Sequence, residues 1–252
     1  MEKIINIVVP MAGKGTTFTE AGYAFPKPLI DINGKTMIEI VVRNLRPVLP
    51  HRFIFICMRE HYEKYDLHNI LKNATNNQFE VVLVGGQTQG AACTVMLASH
   101  YINNDSEMII ANSDQYIDVN IDTFIDKART KDCDGLIMTF QSSHPKWSYA
   151  RIDGEGKVLE VAEKVVISNH ATVGIYYYKK GSDFISSTEA MIHKNIRHDN
   201  EFYVCPVFNE LLLDGKNIFI SEIDGVSMYG MGTPEELKSF VEKVEKGSVL
   251  LA

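Results

Sequence analysis

Apolar residues fall along this chain in short unbroken runs, with longer mixed stretches between them. The runs "IINIVV", "RFIFICM", "EVVLVG", "EMIIAN", "GLIMTF", "ATVGIYYY" and "NIFISEI" are rich in Val, Ile, Phe and Tyr. They are continuous rather than alternating, which is the pattern of strands buried on both faces. Between the early runs, "TMIEIVVRNL" and "YEKYDLHNILKN" space apolar residues at helical intervals. Strand alternating with helix predicts an α/β fold, a mostly parallel sheet flanked by helices on both faces. After about residue 140 the alternation loosens. "SSHPKWSYARIDGEGKVLEV" has the form of a hairpin that turns at "DGEG", Asp153 to Gly156, so a smaller second lobe is expected in this half. The last helix opens at "GTPEEL". Thr233 suits the N-cap, Pro234 the first helical position, and Glu236 the reciprocal place in a capping box.

Composition narrows the class. A chain of 252 residues is long enough for one sizeable α/β domain with a smaller lobe, and it shows no repeat and no low-complexity linker. The hydrophobic fraction of 45% and charged fraction of 23% are those of a soluble globular protein. No apolar run approaches a bilayer-spanning length, and "MEKIINIVVP" lacks a basic, small-residue-terminated signal pattern. A mature cytoplasmic protein with no membrane partner is expected. The net charge of -7, with no basic cluster, argues against nucleic acid. Cys57, Cys93, Cys133 and Cys205 form no CxxC pair, so each is expected to be a small buried hydrophobe in a reducing compartment.

The candidate chemistry lies in "VPMAGKGTTF", Val9 to Phe18, directly after the first strand. A Gly-rich loop there lets backbone N–H groups face an anion, aided by a following helix N-terminus. The spacing excludes two common phosphate motifs. A dinucleotide fingerprint needs a third glycine where Phe18 stands. A Walker A loop ending at "NGKT" needs a glycine where Leu29 stands, so "NGK" is a tight turn before a helix. In "FPKPLI", Lys27 sits between two prolines on a stiff backbone, from which its ammonium can be aimed at phosphates over the glycine loop.

With these motifs in hand, the sequence resembles the sugar-1-phosphate nucleotidylyltransferases, or pyrophosphorylases, from residue 4 to about 240. The resemblance is carried by "GKGTT" with "PKP", by "IIANSD" ending at Asp114, by "TQGAACTV", by "EK" at Glu163 and Lys164 followed by "ATVGIYYY", and by "GTPEEL". It implies a Rossmann-like fold of the nucleotide-diphospho-sugar transferase type in a single domain. Residues 1–140 would form the nucleotide-binding half and 141–252 the acceptor-binding half, with no C-terminal extension domain. It implies an enzyme that joins an NTP to a phosphorylated acceptor and releases pyrophosphate, with Mg²⁺ or Mn²⁺ as cofactor. Lys27, Asp114 and Lys164 would be catalytic, with Asp114 the metal ligand and Lys164 on the acceptor phosphate. Met11, Ala12, Gly13, Lys14, Gly15, Thr16, Thr17, Gln87, Gly90, Ala91 and Ser113 would bind the nucleotide. Tyr149, Ala150, Glu163, Val173, Gly174, Glu201 and Tyr203 would bind the acceptor, in a half made aromatic by Trp147, Phe202 and Tyr176 to Tyr178. Family members are often homo-oligomers, and the resemblance extends that expectation to this chain.

The sequence departs from the family at two positions. Thr17 stands where an arginine usually clamps the phosphates, and Lys does not replace a bidentate Arg in geometry. Gly230 stands where a second metal-binding aspartate usually precedes the Gly-Thr-Pro turn, which leaves Asp114, phosphate oxygens and water for Mg²⁺. The departures suggest a side branch, with CTP as nucleotide and a small phosphorylated metabolite such as phosphoglutamine as acceptor, in capsule or surface-polysaccharide synthesis. The alternatives are a thymidylyl-, uridylyl- or guanylyltransferase acting on a sugar 1-phosphate, and a nucleotide-binding protein without turnover.

Overall fold

The computed structural model describes residues 4–249 and 251, so the first three residues of the N-terminal segment lie outside it. The chain opens with β1 (Ile5–Met11), α1 (Thr16–Glu20), β2 (Asp31–Ile32), β3 (Lys35–Thr36), α2 (Met37–Asn44), β4 (His51–Met58), α3 (Arg59–Lys64), α4 (Leu67–Ala74) and β5 (Phe79–Val84). It continues through α5 (Ala91–Met96), α6 (Ser99–Ile102), β6 (Met108–Ala111), β7 (Gln115–Ile117), α7 (Ile121–Thr130) and β8 (Gly135–Gln141). The remainder is β9 (Tyr149–Ile152), β10 (Val158–Ala162), β11 (His170–Tyr178), α8 (Gly181–His193), α9 (Val207–Leu213), β12 (Ile218–Glu222), β13 (Met228–Gly230) and α10 (Pro234–Glu245).

Every apolar run named above becomes a strand of one mixed, mostly parallel sheet. Its order is β10-β9-β11-β6-β1-β4-β5, with β8 on β11 and β12 on β8. β6, β1, β4 and β5 are mutually parallel, as are β8 and β12. β11 runs antiparallel to both β6 and β8 and joins the two sets. The continuous apolar pattern has a direct cause. Ile5, Ile7, Val9 and Met11 of β1 pack into one cluster with Met37, Leu71, Phe124 and Phe240 from α2, α4, α7 and α10. Val8, which points the other way, packs with Val95, Phe184 and Phe208 from α5, α8 and α9. Both faces are covered by helices, so both sets of alternate residues are largely apolar, with buried Asn6 a polar exception on β1.

Local signals set the element ends. Asn33 (φ 52) and Gly34 (φ 81) make the tight turn between β2 and β3. Thr36 then caps α2 reciprocally with Glu39, a box worth about 1 kcal/mol. "YEKYDLHNILKN" is two helices rather than one. Asp66 takes a left-handed conformation (φ 50) between α3 and α4, and only α4 buries apolar residues, Leu67 and Leu71 among them. At α10, Thr233 accepts the Glu236 N–H at 3.2 Å as expected, but the Glu236 carboxylate takes the Gly232 N–H at 3.1 Å, so the capping box is not closed on Thr233.

The Asp153–Gly156 turn joins β9 and β10, and β9 docks on β11 through Tyr149 and Ala171. The hairpin thus extends the central sheet. Its outer strand is closed by Asn209, whose amide accepts the Val161 N–H and donates to the Val161 carbonyl, both at 2.9 Å. Tyr176, Tyr177 and Tyr178 are all buried core residues of β11, Tyr176 and Tyr178 on one face and Tyr177 on the other. None of the three furnishes an aromatic wall for an acceptor. Cys57, Cys133 and Cys205 are buried, whereas Cys93 is half-buried. No helix among the described residues is long and apolar enough to cross a membrane.

Candidate active site

In an open sheet of parallel strands, ligands lie beyond the carboxyl ends of the strands where the strand order reverses. Here that point is β1, flanked by β4 on one side and β6 on the other. A cleft of about 300 Å³ lies there. From the first loop it receives Met11, Ala12 and Gly13, and from the loop after β5 it receives Gln87, Gly90 and Ala91. Ser113, Asp114, Lys27 and Glu201 complete the expected lining.

Lys27 Nζ lies 2.7 Å from Asp114 Oδ2, with about a quarter of each side chain exposed. The pair is set from two sides. Lys27 begins a short 3₁₀ turn after Pro26, with Pro28 next. Asp114 ends the loop after β6, where its carbonyl accepts the Met231 N–H at 2.8 Å. The glycine loop leans on the lysine segment: at Gly15 (φ 60) a Cβ would stand 3.3 Å from Lys27 Cβ.

The rest of that loop leaves the cleft. Lys14 and Thr16 line a neighbouring depression with Met58, Glu60 and His61, and Thr17 is exposed on α1. Gly90 (φ 117) has its own structural cause, because a Cβ there would lie 2.5 Å from the Phe202 carbonyl oxygen. Phe202 N–H donates to the Gln89 carbonyl at 2.8 Å, and Ala92 N–H to the Phe202 carbonyl at 3.0 Å. This seam brings Glu201, from the second half of the chain, to the cleft rim.

The cleft also holds Pro10, Pro28, Thr88, Thr94 and Asn112, which sequence reasoning missed. Thr88 and Thr94 hold the loop after β5 in place. Their hydroxyls share a hydrogen bond at 2.6 Å and lie 2.9 and 3.2 Å from the Gly90 carbonyl, which accepts from whichever of them keeps its proton free. No spacing rule marks such a pair, which depends on a loop folding back over α5.

The expected acceptor residues divide. Lys164 (φ 52) donates to Tyr203 Oη at 2.9 Å and to Asp199 Oδ2 at 3.0 Å. The Tyr203 hydroxyl and Asp199 both raise the lysine's pKa, so it remains an ammonium ion. Glu163 accepts from the Ser148 hydroxyl, and burial raises its carboxyl above the ordinary 4.5. By contrast, Tyr149, Ala150 and Val173 are fully buried, and the Tyr149 hydroxyl is spent on the His144 carbonyl at 2.7 Å. Trp147 packs edge-on against Phe140, and Phe202 is buried.

The vacant second carboxylate position has a local answer. A Cβ on Gly230 would lie 3.0 Å from Glu236 Oε2, and one on Gly232 would lie 3.2 Å from Asp114 Oδ2 and 3.4 Å from Glu236 Oε2. The Glu236 carboxylate therefore fills the space beside Gly230, close to Asp114. It is held there by the Gly232 N–H and by Lys146 Nζ at 2.7 Å. Asp224 caps a 3₁₀ turn instead, accepting the Val226 N–H. Among the described residues no three His, Cys, Asp or Glu side chains converge as a metal-binding group.

Residues 7–206 match the family model described as "Nucleotidyl transferase", and the chain belongs to that family. Among curated relatives, the bifunctional protein GlmU of Buchnera aphidicola subsp. Schizaphis graminum is 23% identical over 227 residues, covering 86% of this chain. The chain spans under half the length of that protein, 46%. Among solved structures, the nucleoside-diphosphate-sugar pyrophosphorylase of Vibrio cholerae RC9 superposes with a TM-score of 0.80 at 25% identity, covering 94% of this chain and 99% of that one. The inositol-1-phosphate CTP transferase of T. maritima has the same fold at 13% identity, with a TM-score of 0.76 over 99% of this chain and 100% of that one.

Proposed function

We propose that this protein transfers a nucleotidyl group from an NTP to the phosphate of a sugar-phosphate-class acceptor. An acceptor phosphate oxygen attacks the α-phosphorus, a new phosphoanhydride bond forms, and the bond to the β-phosphate breaks as pyrophosphate leaves with the electron pair. No general base is needed, because the attacking oxygen is already anionic. The work of the site is to bring two anions together and neutralise their charge. The observation that carries this reading is the Lys27–Asp114 pair in a cleft at the strand-order reversal. Lys27 would turn to the NTP phosphates. Lys164 would hold the acceptor phosphate, with Glu163 and Tyr203 beside it. Residues 1–140 would serve the nucleotide and 141–252 the acceptor.

The donor set fits Mg²⁺ or Mn²⁺. One carboxylate at Asp114, with phosphate oxygens and water, suits a hard ion that keeps part of its hydration. Bound there, the ion would screen the triphosphate charge. A second reading, cytidylyl transfer to a non-sugar metabolite such as phosphoglutamine for a surface polysaccharide, is favoured by Thr17 and Gly230 in the two departed positions.

The test is Mg²⁺-dependent pyrophosphate release, crossing CTP, dTTP, UTP, GTP and ATP with hexose and heptose 1-phosphates, phosphocholine, phosphoethanolamine and phosphoglutamine. A productive sugar-phosphate pair is expected. CTP with phosphoglutamine as the preferred pair would establish the second reading in place of a sugar-phosphate acceptor. NTP binding without turnover on any acceptor would make the protein a nucleotide binder, and no binding would sink both.

A further inference from the structure

β11 is irregular at one place. Its pairing with β8 runs from His170 to Thr172, breaks, and resumes at Tyr176. Gly174 lies in the gap at φ 89, and its carbonyl accepts the Asn112 N–H at 3.2 Å. A bulge of this kind bends a strand and re-aims what lies against it. What lies here is the Asn112 carboxamide. A Cβ on residue 174 would stand 2.2 Å from Asn112 Nδ2 and 3.1 Å from Gln115 Oε1, so only glycine leaves room for the two amides.

Asn112 is exposed and lines the cleft. Gln115 lies behind it, 4% exposed. Gln115 Oε1 accepts from Asn112 Nδ2 at 3.5 Å, a long contact, and Gln115 Nε2 is buried with no partner. A buried donor left unpaired is costly, and such groups gather where a ligand or water completes them. Buried polar side chains do occur around the bulge, at Ser113, Thr139 and Thr172, but none of them is hydrogen-bonded to Gln115 Nε2.

The strand order says which substrate these amides meet. Met11 to Gly13 follow β1 and Gln87 to Ala91 follow β5, so the nucleotide side lies over β1, β4 and β5. Asn112 follows β6 and rests on β11, on the opposite side of β1 and in line with the second half of the chain. Glu201 faces the same cleft.

We infer that Asn112, positioned by Gln115 and by the bulge at Gly174, is a specificity-determining residue that reads a hydroxyl of a polyhydroxylated acceptor phosphate. The inference rests on the proposed transfer reaction. A carboxamide presents an accepting oxygen and a donating N–H side by side; a hydroxyl donates to the one or accepts from the other, and neighbouring hydroxyls of a polyol meet both. A quaternary ammonium headgroup satisfies neither and would leave the amides desolvated and unpaired. The site is therefore polarised towards sugar- or polyol-type acceptors and against phosphocholine.

The experiment uses the full chain with its best NTP and a sugar 1-phosphate. It compares kcat/KM for the parent acceptor and for each monodeoxy analogue in the wild type, Asn112→Leu, Asn112→Ser and Gln115→Met. In the wild type, one deoxy analogue is expected to lose at least about tenfold. In Asn112→Leu the parent should fall to a similar value and that analogue should no longer differ from it, with the KM for NTP unchanged. Asn112→Ser should retain part of the discrimination. Gln115→Met should raise the acceptor KM and shrink the discrimination without changing the KM for NTP. Equal discrimination against every analogue in the wild type and Asn112→Leu would overturn the role of Asn112. A wild type that prefers phosphocholine or phosphoglutamine over every sugar phosphate would overturn the acceptor class while leaving nucleotidyl transfer intact. A wild type that releases no pyrophosphate with any pair would overturn the proposed function and this inference together.

Discussion

Lys27 and Asp114 neutralise one another across 2.7 Å, and in the proposed reaction each takes a different partner, the lysine the NTP phosphates and the aspartate the metal ion. Lys27→Ala and Asp114→Ala should each lower kcat by about 10²- to 10³-fold, the range for loss of one preorganised electrostatic group. Both side chains are partly solvated, so thermal denaturation should shift by no more than about 1 kcal/mol for either variant. Near-normal turnover of Asp114→Ala, followed by pyrophosphate release, would remove the carboxylate from the mechanism. Glu163 gives a second residue-scale test. Burial holds its carboxyl above 4.5, so the folded chain keeps a proton that the unfolded chain gives up. Its contribution to stability is then full below 4.5 and declines as pH rises from there through the raised folded value. Glu163→Gln carries no such dependence. Its stability relative to the wild type, from urea titrations between pH 4 and pH 8, should improve as pH rises, and a constant difference would contradict the burial argument. Lys27 was legible from its place between two prolines beside the glycine loop, and Asp114 only through the family resemblance carried by "IIANSD". Asn112, Gln115, Thr88 and Thr94 were not, because each depends on a contact between segments far apart in sequence.

β11 shows how an element's environment outweighs its composition. Tyr176 to Tyr178 make this half of the sequence aromatic, and strand alternation requires at least one of them to face away from any site, yet all three are core. The Tyr177 hydroxyl donates to Glu107 at 2.6 Å, and that carboxylate also takes Arg129. The Tyr178 hydroxyl is buried with no partner, its ring stacked on Phe208 at a centroid distance of 4.7 Å. Two conservative substitutions should therefore diverge. Tyr177→Phe should cost about 1–3 kcal/mol by leaving a charged acceptor short of a donor. Tyr178→Phe should leave stability unchanged or raise it, because it removes an unsatisfied buried group. Equal losses in calorimetry would contradict the assignment. The strands were predictable from continuous Val, Ile and Phe runs. The break between α3 and α4 was not, since an Asp in left-handed conformation carries no periodicity signal. Nor was the open capping box at α10, because Glu236 is drawn to Gly232 and Lys146 by the tertiary fold.

At the scale of the whole molecule, alternating elements produce a sheet whose order reverses at β1, and the cleft follows from that reversal. The alternation was readable from hydrophobic pattern alone, and with it the α/β class. The reversal was not, since pattern does not state which strands are neighbours; nor was the seam between Gly90 and Phe202 that brings the two halves of the chain to one cleft. That convergence is the basis of the central claim, direct attack of an acceptor phosphate on an NTP held beside it. The measurement that tests it most directly is a single-turnover reaction with an acceptor carrying ¹⁸O in all its non-bridging phosphate oxygens, read by mass spectrometry of both products. The account predicts unlabelled pyrophosphate and a nucleotidyl-acceptor that retains every ¹⁸O, one of them bridging to the α-phosphorus. Label in the released pyrophosphate, or NTP cleaved with no nucleotide joined to the acceptor, would contradict it.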